Sequence, residues 1–143
     1  MKNDERAQPS CRSGALTREE ARGRAALISD VTYAVTLDLT GGDETFGCEA
    51  TIRFRSARPG ASTFIDLAAP TVLAAELNGR LLPPGAHDGV GRVLPRLASE
   101  NTLRIAARCA YSRSGIGMHI FRDPVDGRVY CYTDFEPREA HRV

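Results

Sequence analysis

The chain has 143 residues, which is enough for one domain with its own hydrophobic core. Its 19 basic and 18 acidic side chains leave a formal charge of +1, so the chain lacks the excess of positive charge on which nucleic-acid binding depends. Its content of 42% hydrophobic and 26% charged residues excludes a chain that is disordered throughout. No apolar run is long enough to cross a membrane, and residues 1–14 contain no apolar signal segment. We therefore expect a cytoplasmic protein that binds neither nucleic acid nor membrane.

The first ordered element that the sequence predicts is a short helix. Residues 1–14 are polar and show no periodicity, so we expect a flexible leader there and a single β domain over residues 15–143. Thr17 and Glu20 have the spacing of a capping box, in which a hydroxyl and a carboxylate satisfy free amides at a helix start. The segment that follows is short and highly charged, which predicts a helix on the surface.

From residue 31 onward, apolar residues recur at every second position, as is typical of half-buried β-strands. The two longest runs are Val31–Leu39 and Phe46–Phe54, and Asn78-Gly79 has the signature of a two-residue hairpin turn. Shorter strands are predicted over 63–67, 72–77, 80–82, 93–94, 103–111, 118–122 and 128–133. The pattern predicts a mainly β fold, an antiparallel sandwich or saddle-shaped sheet with one short N-terminal helix.

The cysteines and histidines do not have the spacing of a metal site. Cysteines stand at 11, 48, 109 and 131, with no C-x-x-C pair, and we expect reduced thiols, with Cys48 and Cys109 buried on the apolar faces of their strands. His87, His119 and His141 are not part of an H-E-x-x-H motif. We therefore expect this chain to bind neither a metal nor another cofactor.

A row of aromatic and acidic residues near the C-terminus is the main candidate for a binding site. In an extended strand, Tyr130, Tyr132, Asp134 and Glu136 share one side, while Val129, Cys131, Thr133 and Phe135 face the other side as a core face. Phenol rings beside carboxylates suit an ammonium group, through charge pairing and cation–π contact. A solvated sheet face with surface acids is the alternative.

Several segments, in order along the chain, resemble the N-terminal domain of the aminopeptidase N family of zinc aminopeptidases, especially actinobacterial members. They cover roughly residues 16–143 and include Leu16–Ala21, Ile28–Tyr33, Leu37–Thr40, Thr63–Leu67, Leu77–Gly79, Phe121–Gly127, Tyr130–Pro137 and Ala140–Val143. The resemblance implies a saddle-shaped, mostly antiparallel β domain. It also implies that the zinc ligands and the catalytic glutamate of these metallopeptidases lie in a downstream domain, so we expect this chain to lack them.

One functional element of the family falls inside the chain. The family usually has Thr-Gln-Phe-Glu after the last hairpin, where the Gln shapes the first substrate pocket and the Glu helps to hold the free amine of the substrate. Here the segment is Thr133-Asp134-Phe135-Glu136. The resemblance thus implies amine binding by Glu136, with Asp134 as a departure from the usual Gln.

Two functions remain open at this point, and a purely structural role is the third alternative. The first is a stand-alone or truncated N-terminal domain of a zinc aminopeptidase, which binds the N-terminus of a peptide beside a separate catalytic chain. The second is a repurposed β domain that binds a small amine-bearing ligand, or a metal-independent cyclase or isomerase with Asp134, Glu136 or His119 as acid and base. Either function would leave the Tyr130–Glu136 face uncovered, so we expect a homodimer or a partner complex.

Overall fold

A computed structural model describes residues 16–83 and 91–136, and these residues form one helix and nine strands. The predicted leader, His87, His141 and Cys11 lie outside the described residues. In chain order the elements are α1 (Arg18–Leu27), β1 (Ile28–Asp38), β2 (Thr45–Ser56), β3 (Thr63–Asp66), β4 (Thr71–Leu77), β5 (Arg80–Leu81), β6 (Gly91–Leu94), β7 (Glu100–Ala110), β8 (Gly117–Arg122) and β9 (Val129–Asp134). The prediction of a mainly β, antiparallel fold with one short helix is confirmed.

Helix α1 begins with the predicted capping box. The hydroxyl of Thr17 accepts a hydrogen bond from the Glu20 amide at 3.2 Å, and the Glu20 carboxylate accepts one from the Thr17 amide at 2.8 Å. Only Leu27, at the end of the helix, is buried. The helix is therefore a surface element, as its charge predicts. It is not long and apolar enough to cross a membrane, and it is the one helix in the described part of the chain.

The largest element is a five-stranded antiparallel sheet in the order β1-β2-β7-β4-β5. Burial alternates residue by residue along β7, whose odd-numbered members from Leu103 to Cys109 are buried. Since side chains of a strand alternate between the two faces of a sheet, one face of this sheet carries the core. The turn between β4 and β5 is the predicted one, and Asn78 and Gly79 both have positive φ, 52° and 78°.

Two ribbons of two strands each, β3-β6 and β8-β9, contribute to the same core as the large sheet. Leu94 of β6 and Ile120 of β8 are buried in one cluster with Leu103 and Ile105 of β7. The β8-β9 ribbon is also joined to the end of β7 by backbone hydrogen bonds. The Ser112 amide donates to Met118 at 2.7 Å, and the Ile120 amide donates to Ser112 at 3.0 Å.

The prediction that the Val31–Leu39 run is half-buried is wrong. The strand forms, but ten of the eleven residues of β1 are exposed, Tyr33 by 59%. The register pairs Tyr33 with Ile52 and Leu37 with Cys48, so these side chains do lie on the core face of the sheet. They are exposed because β1 is an edge strand, with a strand neighbour on one side only among the described residues.

The predicted core face of the last strand is also wrong. Every residue of β9 is exposed, including Val129, Cys131 and Thr133, and Phe135 just beyond the strand is exposed as well. The reason is the position of β9 on the outside of its ribbon. The buried positions on that side of the ribbon belong to β8, where Ile120 is buried and Met118 partly so.

Candidate functional site

The predicted site residues lie on the β8-β9 hairpin. The two strands pair antiparallel with His119 opposite Tyr132, Phe121 opposite Tyr130 and Gly117 opposite Asp134. Residues that are directly opposite each other in such a pair point to the same face. Tyr130, Tyr132, Asp134 and His119 therefore share one face of the hairpin, which we call the acid face. Glu136 lies two residues beyond the end of β9.

The carboxylates of Asp134, on the acid face, and of Glu136, next to it, are accessible. Asp134 and Glu136 are exposed, and neither carboxylate has a hydrogen bond or ion pair with another described residue. Tyr132, between them and the turn, exposes half of its surface. Two charged groups and an aromatic ring are thus available to a ligand from solvent.

His119 is held in a fixed orientation on this face. Its Nδ1 accepts a hydrogen bond from the Gly115 amide at 2.9 Å, which requires a lone pair on that nitrogen and places the imidazole proton on Nε2. Its ring also packs against Tyr132, with 4.9 Å between centroids and a 51° angle between planes. The φ of Gly115 is +88°, so the backbone bend that delivers this amide favours glycine.

Tyr130 is bonded within the hairpin turn. Its hydroxyl donates to Oδ2 of Asp126 at 2.6 Å, and Oδ1 of the same carboxylate accepts from the Arg128 amide at 2.8 Å. This bond lowers the pKa of Asp126 and raises the pKa of Tyr130. The sequence predicts the turn through Asp126-Gly127, but it does not indicate that Tyr130 belongs to it. On or next to the acid face, the side chains without a hydrogen bond to another described residue are those of Tyr132, Asp134 and Glu136.

The opposite face of the hairpin borders an apolar cavity of about 230 Å³. Met118 and Phe135 form its wall on the hairpin side, and Phe46, Cys48 and Cys109 form its wall on the sheet side. Two residues that the sequence places next to each other, Phe135 and Glu136, therefore have separate environments. The side chain of Phe135 lines an apolar space, whereas Glu136 is not part of the lining of this cavity.

Cys48 and Cys109 are neighbours on adjacent strands, and both are poor nucleophiles. Burial raises the pKa of Cys109 to about 11 and also raises the pKa of Cys48. The prediction of burial is confirmed for Cys109, whereas Cys48 is only partly buried. Cys131 on β9 is exposed, and its thiol lies 3.4 Å from the sulfur of Met118.

These environments predict the order of thiol reactivity. In a Cys11→Ser variant at pH 8, we expect a maleimide to modify Cys131 first and Cys109 at least about 100-fold more slowly. Each unit by which the pKa is raised lowers the fraction of reactive thiolate by a factor of about ten, and burial also limits access of the reagent. Mass spectrometry of peptides over a time course measures both rates. Equal rates for the two thiols would contradict the buried position of Cys109.

The described residues do not fit a metal ion. They contain no group of three or more His, Cys, Asp or Glu side chains with the proximity that a metal requires. His119 has its Nδ1 occupied by the Gly115 amide. We therefore assign no zinc-dependent step to any of these residues.

Comparison with known proteins gives one informative relative. Aminopeptidase N of Streptomyces lividans is 47% identical to this chain over 132 residues. The match covers 90% of this chain but 15% of the relative, so the chain spans about one seventh of the length of the curated protein that it matches. No family model matches the chain. This relative confirms the resemblance to the aminopeptidase N family, and the matched share of its length is consistent with an N-terminal domain.

Proposed function

Because the chain is homologous to part of an aminopeptidase N, we propose that it is the domain that holds the free amino group of a peptide substrate, and that Glu136 makes the main contact. The observation that carries this proposal is the exposed pair of carboxylates at the end of β9, Asp134 and Glu136, which no other described residue engages. The homology supports an aminopeptidase-related N-terminal domain. The role in substrate binding is the part that we add.

The chemistry of the acid face suits an ammonium ion. A carboxylate that accepts a hydrogen bond from an ammonium group makes a charge-assisted contact, which is stronger than a bond between neutral groups. The exposed ring of Tyr132 adds an electron-rich surface beside it. The position of Asp134 on the same face as Tyr132 supplies a second negative charge, which favours a cationic ligand over a neutral one.

A change of Glu136 to glutamine tests the proposal. The probe is leucine amide, followed by chemical shifts in NMR spectra of the labelled protein, and the ligand control is N-acetyl-leucine amide, which has no ammonium group. We expect Glu136→Gln to weaken leucine amide binding by about 10- to 100-fold, because one charge-assisted contact is worth about 1.5–3 kcal/mol. Glu100→Gln, at an exposed site on β7, is the matched control variant and should bind as the unmodified protein does.

The two controls separate the possible failures. If the acetylated ligand binds as well as leucine amide, then the site does not recognise an amine. If Glu136→Gln binds leucine amide with unchanged affinity while the fold is intact, then the amine is held elsewhere. Either result would remove the proposed role of Glu136.

The second candidate function is that of a small enzyme that uses an acid and a base on the acid face. The observation in its favour is the fixed imidazole of His119, whose Nδ1 is bonded to Gly115 and whose ring packs on Tyr132. In this function His119 would exchange a proton through Nε2 while Asp134 or Glu136 serves as its counterpart. Since the ring is already oriented, His119→Gln should abolish turnover of such a substrate without preventing the binding of leucine amide.

A further inference from the structure

Strand β1 has an open edge along the largest sheet. It pairs with β2 on one side and has no strand neighbour among the described residues on the other. An edge strand presents a row of unpaired amide and carbonyl groups, which form a template for another strand. At eleven residues, β1 is as long as β7 in the centre of the sheet.

The apolar side chains of β1 extend the core face beyond the part that is covered. These side chains, 38–59% exposed, are Val31, Tyr33, Val35, Leu37 and, just after the strand, Leu39. The partners of Tyr33 and Val35 on β2 are Ile52 and Ala50, both on the core face. An exposed apolar stripe that is continuous with the core is typical of an interaction surface.

Between Val31 and Leu37 the strand also lacks the features that keep edges apart. Natural edge strands are usually protected by lysine, proline or inward-pointing charges. The segment from Val31 to Leu37 contains no charge, no proline and no glycine. The only charged residues of β1 are Asp30 and Asp38, which stand at its two ends.

We propose that two copies of this chain associate through β1, antiparallel across a two-fold axis at Val35, to form one continuous sheet of ten strands. The register follows from the geometry of the strand. Its pairing with β2 shifts between Ser29 and Thr32, where Asp30 has a φ of +52°, so the regular part runs from Thr32 to Asp38 and has Val35 at its midpoint.

Charge and polarity agree with this register. With Val35 opposite its own copy, Tyr33 lies opposite Leu37, and the apolar stripes of the two copies join on one face. Asp38 lies opposite Thr32, so no like charges meet. A shift of the axis to Ala34 would place Asp30 opposite Asp38, and like charges directly across a strand pair destabilise it.

The contact is small for a stable dimer. A strand edge of seven residues and five half-exposed side chains fall short of the roughly 800 Å² per partner of a standard interface. We therefore expect a dimer that dissociates on dilution within the micromolar range. This concentration dependence makes the proposal measurable by sedimentation equilibrium of the 143-residue chain.

The first test introduces a charge at the axis. Val35→Lys places two lysines opposite each other and should weaken dimerisation by about one to two orders of magnitude, through like-charge repulsion and lost apolar burial. Val35 is 48% exposed, so the monomer should stay folded, which circular dichroism checks. The matched control is Val125→Lys in the β8-β9 turn, where the side chain is 92% exposed, and its dimerisation should be unchanged.

The second test measures the register. Opposite residues of antiparallel strands have Cα atoms about 4.5–5.5 Å apart, within the range of a disulfide. The test uses a protein that also carries Cys11→Ser and Cys131→Ser. In it, copper phenanthroline should oxidise the Val35→Cys variant to a disulfide-linked dimer. Val31→Cys should remain monomeric under the same conditions, because the two copies of residue 31 are more than ~20 Å apart at strand spacing.

Three outcomes would overturn the proposal. The first is that the unmodified protein is a monomer at all concentrations. The second is that Val35→Lys and Val125→Lys have equal effects on dimerisation. The third is protection from hydrogen exchange, in the monomer, of those β1 amides that do not bond to β2, because another segment of the same chain would then cover the edge. Cross-linking through Val31→Cys in place of Val35→Cys would reject the register.

Discussion

Replacement of Leu103 by alanine is expected to lower the free energy of unfolding by about 2–5 kcal/mol. Leu103 has an exposed fraction of 0%, and on the central strand β7 it stands between Ile52 of β2 and Leu77 of β4. Because neighbouring strands hold both of these residues in place, they cannot close the hole that alanine leaves. The loss therefore combines the transfer free energy of the deleted atoms with the cost of a cavity.

Urea unfolding followed by circular dichroism measures this difference. Leu81→Ala is the matched control, because Leu81 lies on the short edge strand β5 with 77% of its surface exposed. The control should change the free energy of unfolding by no more than about 0.5 kcal/mol. Similar losses in the two variants would show that β7 does not lie at the centre of the folded core.

The sequence predicts the strands well because their apolar residues repeat with a period of two. In β7 the residues Leu103, Ile105, Ala107 and Cys109 occupy every second position, and the observed burial follows that period. The turn at Asn78-Gly79 is equally predictable, since few other residue pairs adopt positive φ at both positions. Both the strand period and the turn are determined by residues that are close together in the sequence.

Whether one face of a strand is buried depends on the elements that pack against it. The alternation of apolar and polar residues does not reveal those elements. The pattern of β1 assigns Tyr33 and Leu37 to the apolar face correctly, but it does not show that the strand lies at the edge of the sheet. The same limit applies to β9, whose Cys131 is exposed although its partner Ile120 on β8 is buried. Strand order is a non-local property, and it decides both cases.

The candidate site is predictable to the same extent. The shared face of Tyr130, Tyr132 and Asp134 follows from the strand period, and the pairing of β8 with β9 confirms it. The contact of His119 with Tyr132 depends on the register between the two strands, and the bond of Tyr130 to Asp126 depends on the turn. Neither contact follows from the spacing of residues along one strand.

Asn101 shows how a polar residue in a strand can be structural without any signal in the sequence. It is 3% exposed and lies on the core face of β7, opposite Phe54. Its Oδ1 accepts hydrogen bonds from the Ala98 amide at 2.8 Å and from Nδ2 of Asn78 at 2.9 Å, and its Nδ2 donates to the Ala98 carbonyl at 2.8 Å. The side chain thus joins the turn before β7 to the β4-β5 hairpin.

Asn101→Ala is accordingly expected to lower the free energy of unfolding by about 2–4 kcal/mol, from three hydrogen bonds of about 1 kcal/mol each and the space that the side chain leaves. Thermal and urea unfolding measure the effect, and Ser99→Ala in the same turn is the control. Ser99 is exposed, and its carbonyl, which accepts from the Ser56 amide, is kept in the variant, so its stability should stay within about 0.5 kcal/mol of the unmodified protein. If Asn101→Ala is as stable as Ser99→Ala, water replaces the amide without cost, and the turn and the hairpin are held together by apolar contacts instead.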